Sequence, residues 1–591
     1  MRSLSISYGA ALTLLLLAGC SHSDSAAAME HASSAPARAE GSAMPADPAP
    51  PMTSSVASPM APPPAIADEM AIFSADQIRA HTRFLADDLL EGRGPGTRGD
   101  KIAEQYIATQ FMAMGLSPAG DGGSYFQKVP LTGIATVPTT TLAFVKGDQR
   151  SDLKLLDEIV ATDETQNTST PLSSDLVFVG HGVVAPEYSW DDYKGVDVKG
   201  KTVVMLVDDP PASSSEPQLF GGKSRTYYGR WTYKYEEALR HGAAGAILIH
   251  TDDTAGYGWN VVRNSWGRER PYVRLKPGEA ALKMTSWITQ PVAVRLMQMA
   301  GQDLAVLTAG AHSRSFKPVP LGVKVVGTIN STVKPVDTAN VVARLEGSDP
   351  KLKDEFVLYT AHFDHLGIGT PVNGDAIYNG AIDNATGVAV LLEMARVWSK
   401  TQPRPARSIL FASVTGEEGG LRGSEFYAGN PVVPAGKTAI DLNFDAIEQF
   451  GKVSNVTMLG VERTTFNSIA QKVTRAMGIR IDPDEHPEQG SYYRSDHFSL
   501  AKAGIPSFSI SPGSEYVGRP KEWGMAQFTD YNEHRYHQPS DQFDPAWDFS
   551  EGVQMGQLGY WLGWEAATMS QLPTWNRGDE FLAAREKSFG H

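Results

Sequence analysis

The chain has 591 residues, a formal net charge of −15, 41% hydrophobic residues and 9% aromatic residues. This length exceeds what one hydrophobic core normally organises, so two or three domains are expected. The composition is that of a globular protein, and the acidic balance excludes the basic face on which nucleic-acid binding depends.

The N-terminus has the features of an export signal. Arg2 precedes an apolar stretch, Ala10 to Leu17, that is too short to span a bilayer, so residues 1–20 are expected to be a secretory signal peptide. The letters LAGC at 17–20 resemble a bacterial lipoprotein box, in which Cys20, the only cysteine of the chain, would be lipidated. The alternative is an ordinary signal peptide with a chance cysteine. We predict a lipid anchor on the periplasmic face of a bacterial outer membrane.

The residues after the signal are expected to form a tether. Residues 21–68 are mainly Ala, Ser, Pro and Met, and they hold too few large apolar side chains to offset the entropy lost on ordering, which predicts disorder. The first folded element is a helix in which Ile78, Leu85 and Leu89 share one face. Ser74 is expected to be its N-cap, and Gln77 would complete a capping box.

The rest of the chain predicts an α/β fold that is interrupted by a β-rich insert. Residues 69–154 and 316–591 form the main domain, where near-continuous apolar strands alternate with helices. This pattern indicates a mostly parallel central sheet flanked by helices. In residues 155–315 short β-rich runs alternate with turns and one helix, which is typical of an inserted domain.

Polar side chains with metal-binding chemistry recur where the strands of the main domain end. Ligands of parallel sheets bind beyond the carboxyl ends of the strands, so these side chains are expected to meet at one edge. They are His362 and Asp364 in YTAHFDH, Asp383 in NGAIDNATG, Glu417 and Glu418 in TGEEGG, Asp445 in LNFDAIE, and His534 and His537 in NEHRYHQPSD. Each is unremarkable alone, but together they predict a mixed nitrogen and oxygen site that suits zinc, with manganese or cobalt as alternatives.

In order and context these motifs resemble the co-catalytic zinc aminopeptidase family, whose members include bacterial leucyl aminopeptidase, aminopeptidase Y and the glutamate carboxypeptidases. The resemblance is strongest over residues 320–570 and implies the zinc exopeptidase fold. The segments RSDHFSLAKAGIPSF and YHQPSD add to it. The insert, with VFVGHGVVAPEYSWDDYKGVDVKGKTVVMLVDD, resembles the protease-associated domain found inside such enzymes.

The resemblance implies a role for each candidate residue. Two divalent metal ions per chain, zinc by the same resemblance, would be bridged by Asp383; one would take Glu418 and His537, and the other His362 and Asp445. Glu417 would be the general base. Asp364 would accept the free ring N–H of His362 and raise its basicity.

Some positions stay open at this point. Tyr492, Tyr493 and Arg494 lie where relatives place substrate and oxyanion contacts, and the sequence does not choose between the tyrosines. His365 has two equally weighted interpretations, a substrate contact and structural packing. His534 competes with His537 as a ligand, and the family pattern favours His537.

These expectations favour a metal-dependent exopeptidase that acts on peptides, with removal of N-terminal residues as the first choice. A carboxypeptidase or dipeptidase would use the same metal chemistry, because the groups that bind the free terminus lie on loops. A glutaminyl-cyclase-like acyltransferase would need a single zinc, and the intact pair of His362 and Asp445 argues against it. A scaffold without metal ligands is disfavoured because every ligand is present. The sequence does not indicate an oligomeric state.

The lipoprotein interpretation makes a direct prediction. Cys20→Ser removes the sulfur that would carry the lipid, so the protein should move from the membrane fraction to the soluble periplasmic fraction. Cell fractionation followed by immunoblotting measures this, with Ser34→Ala in the predicted tether as the control. Membrane retention of the Cys20→Ser protein would contradict the lipid anchor.

Overall fold

A computed structural model describes residues 62–590. The predicted signal peptide, Cys20 and most of the predicted tether lie outside the described residues. The end of the tether was predicted wrongly, because Ile66 is fully buried in the main hydrophobic core and the first helix begins at Ala67. An apolar side chain that packs into the core orders the residues around it.

Helices and strands alternate along most of the described chain. The helices are α1 (Ala67–Ala71), α2 (Ala75–Leu85), α3 (Arg98–Ala113), α4 (Trp231–Arg240), α5 (Asp252–Ala255), α6 (Trp259–Trp266), α7 (Gln290–Ala300), α8 (Leu304–Ala311), α9 (Gly387–Lys400), α10 (Arg422–Gly429), α11 (Asn467–Ala476), α12 (His497–Lys502), α13 (Trp523–His534), α14 (Ser550–Thr568) and α15 (Leu582–Ser588).

The strands are β1 (Ser117–Pro118), β2 (Phe126–Thr136), β3 (Thr141–Lys146), β4 (Gln149–Leu153), β5 (Ile159–Thr162), β6 (Ser169–Phe178), β7 (Val184–Ala185), β8 (Trp190–Asp191), β9 (Thr202–Leu206), β10 (Gly245–His250), β11 (Arg270–Val273), β12 (Met284–Thr289), β13 (Val319–Leu345), β14 (Phe356–His362), β15 (Gly367–Val372), β16 (Asp375–Tyr378), β17 (Ser408–Val414), β18 (Thr438–Phe444), β19 (Asn455–Leu459), β20 (Arg480–Asp482) and β21 (Ser507–Pro512).

The main sheet is the predicted α/β sheet, with parallel strands at its centre. Its order is β11–β2–β13–β17–β14–β18–β21–β19–β20, with β1 beside the end of β13. Strands β17, β14, β18 and β21 run parallel. All residues of β14, β17 and β18 are buried, as expected for strands covered on both faces. The carboxyl ends of these strands therefore meet at one edge of the sheet.

Helices cover both faces of this sheet. On one face the almost fully buried helix α9 packs on β14, α2 and α14. On the other, Leu358, Leu410 and Val414 join Tyr427 of α10 and Leu500 of α12 in a second apolar cluster. Among the helices of residues 62–590, none is both long enough and apolar enough to cross a membrane.

The predicted start of α2 is confirmed, and its predicted end is wrong. The Ser74 hydroxyl accepts a hydrogen bond from the Gln77 N–H at 3.3 Å, as expected for an N-cap. The predicted capping box is wrong, because the Ser74 N–H donates to the distant carboxylate of Glu393 at 2.6 Å and not to the Gln77 side chain. Helix α2 ends at Leu85, and Leu89 is 69% exposed instead of sharing the buried face. After Leu85 the chain enters a separate turn over Asp88–Arg93, at whose start the Asp87 carboxylate accepts from the Leu89 N–H at 3.0 Å.

The second sheet shows that the predicted limits of the insert were too narrow. Its order is β4–β3–β13–β6–β9–β10–β12–β5, so it begins at Thr141 rather than at residue 155. Strand β13 belongs to both sheets, since residues 319–330 pair with β6 and residues 331–341 pair with β2. The transition therefore falls near residue 330 and not at 315. A continuous strand gives no turn signal in the sequence to mark the change.

Candidate metal centre

The candidate residues sit where the central parallel strands end. Strand β14 ends at His362, with Asp364 two residues on; β17 ends at Val414, shortly before Glu417 and Glu418; and Asp445 directly follows β18. Because β17, β14 and β18 are neighbours, their ends bring these side chains together. The edge therefore collects carboxylates and imidazoles from segments far apart in sequence.

A tight turn before α9 presents Asp383 to the same edge. Gly380 has φ of 58°, and a Cβ there would lie 2.4 Å from the ring of His365, so the position requires glycine. Buried Asp541 accepts hydrogen bonds from the N–H groups of Ile382 at 3.0 Å and Asp383 at 3.1 Å. These contacts fix the backbone that carries the Asp383 carboxylate.

Asp383 lies between two groups of possible ligands. On one side, His362 Nε2 is 3.3 Å from Asp383 Oδ1 and 3.2 Å from Asp445 Oδ1. On the other side, His537 Nε2 is 3.3 Å from Asp383 Oδ2 and 3.1 Å from Glu418 Oε2. The structure thus brings all five predicted ligands together, in the two groups that the sequence analysis anticipated.

His365 also reaches the second group, which the sequence analysis did not assign. Its Nδ1 lies 2.6 Å from Glu418 Oε1, and its ring centroid is 5.6 Å from that of His537. His365, Asp383 and Glu418 offer ligand atoms within 4.8 Å of one another, as do His362, Asp383 and Asp445. The signal available in the sequence was its place one residue after Asp364 in YTAHFDH.

The donor set fits divalent cations. Within residues 62–590, Asp364 Oδ2 and His365 Nε2 are buried without a hydrogen-bond partner. Buried polar atoms are almost always satisfied, so such atoms beside converging carboxylates point to a missing cation. Imidazole nitrogen with carboxylate oxygen is a ligand set that zinc accepts.

The pKa values of the cluster reflect the negative charge of its carboxylates. Burial opposes charging of His362, but Asp445 and Glu417 raise its pKa well above the ordinary value. Burial likewise opposes charging of His537, yet Glu418 and Asp383 raise its pKa to about 10. Burial works against ionised Asp383, whose pKa nevertheless falls well below its usual value because His362 and His537 donate to it. The carboxylates thus favour a positive charge among them, which is a charge that bound cations would supply.

Glu417 and Asp364 lie beside these ligands in different settings. The Glu417 N–H donates to Asp364 Oδ1 at 3.1 Å, so Asp364 ties the loop of Glu417 to the end of β14. His362 Nδ1 lies 3.7 Å from Asp364 Oδ1 and 3.2 Å from the Asp364 carbonyl oxygen, so the carbonyl is the nearer partner. Burial raises the pKa of Glu417 well above its usual value; His362 counters this and Glu418 adds to it.

The structure places other predicted residues away from this cluster. The Tyr492 hydroxyl donates to the Ser507 carbonyl at 3.1 Å, and the Tyr493 hydroxyl donates to Glu580 at 3.1 Å. The expectation that one of these tyrosines contacts the substrate is therefore wrong. Both rings are buried in an aromatic cluster, which occupies their hydroxyls and faces. His534 is 67% exposed and pairs with Asp530, which leaves His537 as the histidine of this segment at the site. Arg494 is exposed.

Arg93 is a positioning residue that the sequence analysis missed. Its fully buried guanidinium donates to the carbonyls of Phe363 at 2.6 Å, Asn379 at 2.6 Å and Gly380 at 2.8 Å, and also to Leu85. Phe363 directly follows His362, whereas Asn379 and Gly380 shortly precede Asp383. One side chain therefore sets the spacing of two segments that carry ligands. The clue in the sequence was a lone arginine within EGRGPG.

Comparison with known proteins finds a family match within the main domain. Residues 340–557 match Peptidase family M28. A probable zinc metalloprotease of Pyricularia oryzae is 42% identical over 95 residues, which are 16% of this chain and 18% of that protein. Leupeptin-inactivating enzyme 1 of Streptomyces exfoliatus is 28% identical over 189 residues, which are 31% of this chain and 39% of that enzyme. The chain thus spans well under half the length of these curated relatives.

Among solved structures, an aminopeptidase from Aneurinibacillus sp. strain AM-1 is similar to this chain. Its TM-score is 0.46 with 18% sequence identity, and the alignment covers 86% of this chain and 98% of that one. An M28 peptidase precursor from Shewanella amazonensis has a TM-score of 0.39 with 16% identity, and the alignment covers 85% of this chain and 98% of that one.

The role of Arg93 can be tested by its removal. Arg93→Met leaves buried carbonyl oxygens without a donor, at about 1–3 kcal/mol each, so the free energy of unfolding should fall by about 3 kcal/mol or more. The metal content after dialysis should also fall, because the ligand segments lose their spacing. Urea unfolding and elemental analysis measure both. The control is Arg475→Met on the exposed side of α11, and equal stability of the two variants would contradict the role.

Proposed function

We propose that this chain, whose residues 340–557 belong to Peptidase family M28, is a zinc-dependent exopeptidase that removes amino acids from the N-terminus of peptides. The observation that carries the proposal is the convergence of two histidines, His362 and His537, and two carboxylates, Asp445 and Glu418, on the two sides of Asp383, at the carboxyl edge of a parallel sheet. Relatives named as a zinc metalloprotease and as a leupeptin-inactivating enzyme support it.

The proposed centre holds two divalent ions. His362 and Asp445 would hold one, Glu418 and His537 the other, and the two oxygens of Asp383 would serve both. Bound ions would supply Lewis acidity toward the scissile carbonyl and toward the attacking water. His365, which contacts Glu418 from the buried side, would orient that carboxylate.

The remaining chemistry belongs to Glu417. Its carboxylate would take a proton from the attacking water and deliver it to the nitrogen of the leaving amine, so it acts first as base and then as acid. Asp364 holds the N–H of Glu417 and thereby the direction of its side chain. A shift of the carboxylate by about 1 Å would weaken proton transfer, which gives Asp364 a positioning role.

The cellular setting is part of the same proposal. Cys20 would carry the lipid that anchors the protein to the periplasmic face of an outer membrane, where incoming peptides arrive. The insert, from Thr141 to about residue 330, would be a protease-associated domain. Support for this assignment is its position beside the catalytic loop, since Pro271 of β11 would lie 2.2 Å from a Cβ at Gly419.

Glu417 has a proposed role in proton transfer and Asp383 in metal binding, and substitution of each residue tests this difference. Glu417→Gln keeps shape but cannot accept a proton, so it should retain zinc and lose nearly all turnover, by at least about a hundredfold. Asp383→Ala removes the ligand common to both groups and should lose zinc itself. Zinc content and kcat on a peptide measure the two effects. Glu586→Gln, on the exposed surface, is the control, and normal turnover of Glu417→Gln would refute the mechanism.

The end of the peptide that is cut decides between the related activities. The zinc-loaded protein is incubated with peptides that are free or N-acetylated, and mass spectrometry shows which end shortens. Shortening from the N-terminus that acetylation blocks is the expected result. Shortening from the C-terminus would give a carboxypeptidase, and cleavage of dipeptides alone would give a dipeptidase. Cyclised glutaminyl products, or no reaction, would indicate a cyclase or a binding scaffold.

A further inference from the structure

The two adjacent glutamates of the metal centre lie on one short loop, which joins β17 to α10. This Glu417–Glu418 loop consists of residues 415–421. The N–H groups of its last two residues both donate to the Glu417 carbonyl at 2.8 Å, and the N–H of Arg422, at the start of α10, donates to the Gly416 carbonyl at 2.9 Å. The loop is therefore closed by its own backbone hydrogen bonds, and contacts with neighbouring segments decide where it lies.

Strand β11 of the insert lies directly against this loop. The Arg422 Nε donates to the Pro271 carbonyl at 3.0 Å, and the Arg422 guanidinium lies over the ring of Tyr272, 4.8 Å from its centroid. A second nitrogen of the same guanidinium pairs with Glu425 at 2.8 Å, within α10. The Arg422 side chain is only 14% exposed, so these contacts are largely shielded from water, which strengthens them.

A glycine brings the loop close to β11 at a second point. A Cβ at Gly419 would lie 2.2 Å from Cγ and 2.9 Å from Cδ of Pro271, which is far inside van der Waals contact. The φ of Gly419 is not positive, so the neighbouring ring excludes a side chain here and the conformation of the loop does not. The loop and the strand therefore meet in a contact that one methyl group would disturb.

The strand that makes these contacts is itself fixed on two sides. Residues 270–273 pair with residues 131–134 of β2, in the main sheet. The Arg270 guanidinium lies over the ring of Trp266 in α6, 4.6 Å from its centroid, and Trp266 belongs to an apolar cluster in the core of the insert. Strand β11 therefore connects the core of the insert to the Glu417–Glu418 loop.

The two glutamates differ in what else holds them. Glu418 Oε1 lies 2.6 Å from His365 Nδ1, and Glu418 Oε2 lies 3.1 Å from His537 Nε2, so contacts within the metal centre fix this carboxylate. Glu417 is held through its N–H, which donates to Asp364 at 3.1 Å. A shift of the loop away from β11 would therefore change the direction of the Glu417 carboxylate more than that of Glu418.

From these contacts we infer that Arg422 is a positioning residue, through which the insert sets the direction of Glu417. Its guanidinium holds the loop against Pro271, and Gly419 allows the close approach. The inference rests on the proposed role of Glu417 as general base and extends it, because it gives the insert a function in turnover. Displacement of a reacting group by about 1 Å can lower the rate by about a hundredfold, so small movements of the loop matter.

Removal of the guanidinium tests this inference on the zinc-loaded full chain. Arg422→Met cannot donate to the Pro271 carbonyl, so kcat on a peptide should fall by about tenfold or more, while KM changes by less than about twofold and zinc is retained. Glu425→Gln removes only the partner within α10 and should keep kcat. Unchanged kcat in Arg422→Met, or an equal loss in Glu425→Gln, would overturn the proposal.

A pair of substitutions tests the same contact without removing a charge. Gly419→Ala places a methyl group against the Pro271 ring and should lower kcat. Pro271→Ala removes Cγ and Cδ and leaves a Cβ at 3.5 Å, an ordinary contact distance, so the double variant should recover most of the lost kcat. A general loss of stability would not be reversed in this way. A double variant no more active than Gly419→Ala would overturn the proposal, even where Arg422→Met fails to fold.

Hydrogen exchange separates this proposal from the proposed function, because it needs no substrate. The amides of Gly420 and Leu421 report on the closure of the loop and should exchange faster in Arg422→Met and in Gly419→Ala than in the wild type. Faster exchange in both variants, in a protein whose wild type cleaves no peptide, would keep the attachment of the loop to the insert and refute the peptidase. Peptide cleavage with unchanged kcat and unchanged exchange in both variants would do the reverse.

Discussion

Repulsion among buried carboxylates governs the architecture of the site. Like charges about 4 Å apart repel by about 4 kcal/mol at the effective dielectric typical near a protein surface. Asp383, Glu418 and Asp445 converge with Glu417 beside them, and the histidines among them can carry only part of the balancing charge. Carboxylates that converge in this way favour a bound cation among them, which would relieve their repulsion.

Groups that contact no ligand atom hold the ligands in this arrangement. Arg93 and Asp541 both act on the backbone that leads to Asp383: Arg93 donates to the carbonyls of Asn379 and Gly380, and Asp541 accepts from the N–H groups of Ile382 and Asp383. Asn384 joins the same turn to the end of β18, since its amide donates to the Phe444 carbonyl at 2.9 Å. These contacts tie the turn to the ends of β14 and β18 and thereby fix the spacing of the ligands, which is what ligand geometry requires.

The sequence was most informative where chemistry and topology coincide. The fold class followed from apolar strands alternating with helices, and the meeting of His362, Asp383 and Asp445 followed from the rule that parallel strands end at one edge. Arg93 was missed because its partners are backbone carbonyls, which every residue type has, so the identities of the partner residues give no signal. Its partners Asn379 and Gly380 are also more than 280 residues away. The insert boundary was misplaced because β13 crosses between the sheets without a turn.

The two sheets are joined at two places. Strand β13 pairs with β2 in the main sheet and with β6 in the second sheet, and β11 of the insert pairs with β2. Arg422 Nε donates to the Pro271 carbonyl of β11 at 3.0 Å, so the insert contacts the segment just after Glu417 and Glu418. In the proposed peptidase, metal ligands and a general base would act on an amide bond in the same way whatever peptide carries it. Selection of a peptide would therefore need groups outside the metal centre, and the insert is the part of the chain that borders the Glu417–Glu418 loop.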